Sequence, residues 1–87
     1  MAIKPGASVK GITPEILFAV QEARQWCREH AHVFVIENCN GGQSFNMRSS
    51  NMGAGEKASC VKWLTKALGE EFDVISERTH IRVKFDP

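Results

Sequence analysis

The sequence predicts a two-layer α+β domain: two helices packed on a small sheet of about three strands, with a C-terminal β-hairpin. Three observations carry this. Two stretches have helical spacing and clear ends, one apolar run reads as a strand, and the last sixteen residues alternate around a two-residue turn. The 87 residues leave room for a single domain with one core.

Residues 1–11 contain Pro5, Gly6, Ser8 and Gly11 with few large apolar side chains, and are expected to form an extended arm carrying Lys4 and Lys10. Thr13-Pro14-Glu15 then starts a helix. It offers a capping hydroxyl, proline at the first helical position and a carboxylate at the positive end of the dipole. Ile16, Val20, Ala23 and Cys27 recur at helical spacing, with Leu17, Ala19 and Trp26 broadening the stripe, so the helix should run to about His30. Trp26 is a core wedge or the anchor of a binding surface. His30-Ala31-His32 falls where helix gives way to strand, with no third metal ligand nearby, and histidine at a helix C-terminus is expected from the dipole alone.

Val33-Phe34-Val35-Ile36 reads as a strand covered on both faces, leaving through Glu37-Asn38. Residues 39–55, rich in Gly, Ser and Asn, read as one long loop. A loop of that length in a small domain is usually functional or mobile. Phe45, Met47, Arg48 and Met52 lie on it, apolar and cationic side chains with little reason to be on a loop unless they pack back or meet a partner, and of these Phe45, Arg48 and Met52 are the candidates for a protein contact. Gly53-Ala54-Gly55-Glu56-Lys57 lacks the first glycine of a phosphate-binding loop and follows no strand directly.

Glu56 to Leu68 is the second helix, with Ala58, Val61, Leu64 and Leu68 as its stripe, Cys60, Trp63 and Ala67 beside it, and Gly69 as its stop. If Arg78 and Thr79 form the turn of the hairpin, Phe72 faces Phe85, Asp73 Lys84, Val74 Val83, Ile75 Arg82, Ser76 Ile81 and Glu77 His80. Phe72, Val74, Ile81, Val83 and Phe85 then share a core face. Asp73, Ile75, Glu77, His80, Arg82 and Lys84 share the other. The strand from Val33 to Asn38 is expected to pair with either 81–85 or 72–76.

A formal charge of +1 argues against an acidic nucleic-acid mimic and against broad electrostatic capture of DNA, so no direct nucleic-acid partner is expected. Cys27, Cys39 and Cys60 cannot all pair within one chain, and no charged leader with an apolar stretch precedes the domain, which points to a reducing cytoplasm. No apolar run approaches the roughly 20 residues of a membrane-spanning helix, so no membrane is expected.

Glu77-Arg78-Thr79-His80-Ile81-Arg82-Val83-Lys84-Phe85, preceded by Leu68-Gly69-Glu70-Glu71-Phe72, resembles the C-terminal end of phage-encoded D-alanyl-D-alanine carboxypeptidase-like zinc peptidases. Val9-Lys10-Gly11-Ile12-Thr13-Pro14-Glu15 is similar to the start of the same domains. The resemblance implies a catalytic role for Glu77 as general base and for His80 as one zinc-bound imidazole. The family's further His/Asp pair has no counterpart, since 44–58 contains neither residue, and Arg82 stands where the family often has a second histidine. One imidazole does not hold a catalytic zinc. The expectation is therefore a catalytically degenerate scaffold without metal or other cofactor, which binds a bacterial host protein in the host cytoplasm through Phe45, Arg48, Met52 and Arg82. An inhibitor of a bacterial defence system, such as an anti-CRISPR protein, is its sharpest form. The alternative is an active zinc-dependent peptidase of peptidoglycan.

Overall fold

The computed structural model describes residues 2–3, 12–40 and 43–87. Two helices pack on one face of a sheet, giving the expected two-layer α+β arrangement. Helix α1 (Pro14–Glu29) begins at Thr13, whose hydroxyl accepts the Ile16 amide at 3.4 Å. It buries Ile16, Ala19, Val20, Ala23, Trp26 and Cys27, so Trp26 is core rather than surface anchor, while Leu17 is 43% exposed and lies off the stripe. The helix closes in a Schellman motif: the Ala31 amide donates to the Arg28 carbonyl and the His32 amide to that of Cys27. Ala31 occupies the left-handed position, φ 56°, where glycine is usual.

After β1 (Ala2–Ile3) come β2 (Val35–Asn40), β3 (Ser44–Arg48), β4 (Phe72–Ser76) and β5 (His80–Phe85), in the sheet order β1-β2-β3-β5-β4. Apart from β1, the arm expected over 1–11 lies outside the described residues. Three expectations need correction here. Residues 39–55 are not a single loop, because Ser44-Phe45-Asn46-Met47-Arg48 alternates and buries Phe45 and Met47 as β3. That extra strand separates β2 from the hairpin, so β2 pairs with β1 and β3 and with neither 72–76 nor 81–85, and the sheet has five strands. The first apolar residues of the predicted strand are also outside it: Val33 is 66% exposed, and β2 starts at Val35.

Helix α2 (Ala54–Leu68) starts two residues earlier than expected, where the Gly53 amide donates to Glu56 Oε1 at 3.1 Å. Its buried line is Cys60, Leu64 and Leu68, at i, i+4 and i+8; Ala58 and Ala67 are exposed, and Val61 and Trp63 only partly covered. The stripe is thus rotated from the one expected. Gly69 ends the helix with φ 85° and ψ −171°, a conformation essentially restricted to glycine.

The β4–β5 register matches the pairing read from the sequence, from Phe72 opposite Phe85 to Ser76 opposite Ile81. The Glu77 amide donates to the His80 carbonyl at 2.9 Å and closes the turn. β5 pairs on its other side with β3, so Phe45 and Met47 lie beside Val83 and Ile81 in the core layer. Phe34 meets Phe45 edge to face, centroids 6.5 Å apart. Chain order is therefore helix-hairpin twice over, α1-β2-β3 and α2-β4-β5, with β3 and β5 forming the seam.

Candidate functional site: the polar face of the sheet

Because both helices lie on one side, alternation along β3, β4 and β5 sends every second side chain to the side away from the helices. Ser44, Asn46 and Arg48 stand there opposite Lys84, Arg82 and His80, and Ile75 and Asp73 stand opposite Arg82 and Lys84. β2 joins this face through an irregularity. Its register shifts between Ile36 and Asn38, leaving Glu37 as the extra residue, so that Ile36 remains in the core while Glu37 and Asn38 both serve the polar side.

Two carboxylate–guanidinium pairs organise the face. Arg48 Nε donates to Glu37 Oε1 at 2.5 Å across the first hairpin, and this carboxylate, through its hydrogen bond and then its charge, raises the Arg48 pKa further above its ordinary value. In the second hairpin Arg82 Nε lies 3.2 Å from Glu77 Oε1, and His80 Nε2 is 3.7 Å from the same oxygen. The backbone carrying Glu77 is pinned from behind: Lys57, on α2, donates to the carbonyls of Glu77 and Arg78. Beside Arg82, toward the β2–β3 turn, lies an open basin of about 310 Å³ lined by Asn38, Cys39, Ser44, Phe45, Asn46 and Arg82.

The structure brings together four of the six residues singled out in the sequence, Arg48, Glu77, His80 and Arg82. It removes Phe45, which is 1% exposed, because the strand that contains it turns its apolar side inward. Met52 is partly buried against the core, and its amide donates to the Ser49 carbonyl at 3.0 Å. Glu37, Asn38 and Asn46 belong to the face and were not singled out; the alternation of 44–48 was the available signal for Asn46.

The zinc that the resemblance implies would need a set of donors on this face. Among the described residues no three His, Cys, Asp or Glu side chains converge as a ligand set. The Glu77 carboxylate already carries the Arg82 guanidinium, a permanent charge where a metal would compete for the same oxygen. The donors do not fit a catalytic zinc. The other two histidines are structural in character: His30 and His32 stack on buried Trp26, with centroids 4.0 and 5.8 Å away, and His32 Nε2 meets Glu56 Oε2 at 2.6 Å. Burial pushes the Cys27 thiol up to about 11 and, together with the charge of Cys27, that of Cys60 up to about 12, so neither is a ready nucleophile or ligand.

Compared with family models, curated proteins and solved structures, the chain matches none. Among the described residues no helix is long and apolar enough to cross a membrane.

Proposed function

We propose that this chain is a protein-binding module whose working surface is the polar face of the sheet. The observation that carries the reading is the pairing of Glu37 with Arg48 and of Glu77 with Arg82 on a face that neither helix covers. Solvated ion pairs add little to folding stability, so their concentration on one surface is better matched to recognition. Charged groups fixed in register set which partner docks and how fast. Arginine also contributes strongly once a partner excludes water.

The resemblance to phage peptidases, together with the small size of the chain, suggests a bacterial host protein as partner and the host cytoplasm as the place of action. An inhibitor of a bacterial defence complex, of the anti-CRISPR kind, is the form this takes. The peptidase alternative draws on the proximity of Glu77 and His80, but the Arg82 guanidinium on the same carboxylate weighs against it.

Affinity capture from a bacterial lysate, run with wild type and with Arg48→Glu and Arg82→Glu in parallel, tests this. The reading expects one specific partner complex that both variants lose. Cleavage of muropeptides by the wild type, lost in Glu77→Gln and accompanied by no specific capture, would replace it with the peptidase.

A further inference from the structure

The sheet ends in β1 at one edge, only two residues long, and in the five-residue β4 at the other, with no further strand paired to β4 among the described residues. The hydrogen bonds of the hairpin show which way the β4 backbone points. Glu77 is bonded to His80 and the Asp86 amide to the Glu71 carbonyl, so in an antiparallel ladder the bonded residues are Glu71, Asp73, Ile75 and Glu77. Val74 and Ser76 therefore turn their amides and carbonyls outward.

Natural edges are commonly blunted by proline, lysine or a bulge. β4, Phe-Asp-Val-Ile-Ser, has none of these. Beside it, between strand and helix, runs a groove of about 510 Å³ lined by Ala54, Lys57, Ala58, Val61, Lys62 and Ser76. Its floor is apolar and made by small side chains at helical spacing on α2. Its rim is cationic. Lys57 is held by the hairpin carbonyls, while Lys62 is exposed and forms no ion pair among the described residues.

From this juxtaposition we infer that β4 and α2 form a second binding site, distinct from the polar face, for an extended acidic peptide segment that adds as a strand to β4. The segment's main chain would bond to Val74 and Ser76, one apolar side chain would enter the groove over Ala58 and Val61, and a neighbouring carboxylate would meet Lys62. Main-chain bonds supply affinity in this mode and the groove supplies selectivity. Charge decides against a second copy as occupant: edge-to-edge pairing about a two-fold axis would bring the Lys57 and Lys62 rims of the two copies together.

The test uses a fluorescein-labelled octapeptide alternating glutamate and valine, with its lysine–valine counterpart as control, and follows anisotropy and backbone amide shifts of the full chain. The glutamate peptide should shift residues of β4 and α2 and bind at least about tenfold more tightly than the lysine peptide. Ala58→Glu, at an exposed position, and Lys62→Glu should each weaken it by about tenfold. Val74→Pro, which removes the outward amide and also trims a side chain packed against the core, should do the same if it folds. Equal binding of both peptides, shifts confined to the polar face, no shifts at all, or self-association through β4 would each overturn the inference.

Discussion

Glu77 Oε1 lies 3.2 Å from Arg82 Nε, within a single hairpin, and the same arrangement recurs in the other hairpin as Glu37 and Arg48. The two pairs sit on opposite sides of the β3–β5 seam, where Arg48 is the register partner of His80 and Asn46 that of Arg82. Each acidic group is therefore already matched by a cation of its own hairpin. Exchanging charges within one pair should then disturb the fold little while reversing the pattern a partner meets.

Phe45 gives a prediction of opposite kind. It is 1% exposed and packs edge to face with Phe34, so Phe45→Ala should cost about 3–5 kcal/mol of unfolding free energy. Urea denaturation measures this. A loss under about 1 kcal/mol, the level of an ordinary surface change, would return Phe45 to the surface.

Two backbone positions should respond with opposite signs. Ala31 holds a left-handed conformation at the end of α1, so Ala31→Gly should stabilise by about 0.5–1 kcal/mol after allowance for the looser unfolded chain. Gly69, at φ 85°, has open space where a Cβ would go, so Gly69→Ala meets conformational strain without a clash and should cost about 1–3 kcal/mol. Equal and small effects at both sites in chemical denaturation would contradict the assigned caps.

Glu56 is held below its ordinary pKa, first by the Gly53 amide and then by the hydrogen bond to His32. A carboxylate depressed in the folded state contributes stability that is present above its unfolded pKa of about 4.3 and lost as pH falls through the folded value. Glu56→Gln should therefore lower the urea midpoint at neutral pH, with the gap to wild type closing in acid. A gap independent of pH would show that the charge is not what acts.

The hairpin was legible because strict alternation, a two-residue turn and opposed faces all constrain one register. The caps were equally plain, Thr13-Pro14 at one helix start and Gly69 at the other helix end. β3 carried an alternating signal in Ser44 to Arg48, but it is five residues long and sits in a Gly- and Asn-rich stretch, where composition argues for a loop. Losing it had a consequence for the site. Glu37 and Arg48 meet only when β2 and β3 are neighbours and the irregularity at Glu37 turns that side chain outward, and neither follows from the order of residues. Arg82, by contrast, could be placed on the polar face from the hairpin alone.

The central claim is that the polar sheet face makes the functional protein contact, and the most direct measurement is the affinity of the Glu37→Arg/Arg48→Glu exchange for the partner captured by the wild type. The exchange keeps a pair within the hairpin, so its thermal midpoint should stay close to that of wild type while binding weakens by at least about tenfold. A folded exchange variant that binds as tightly as wild type would contradict the claim.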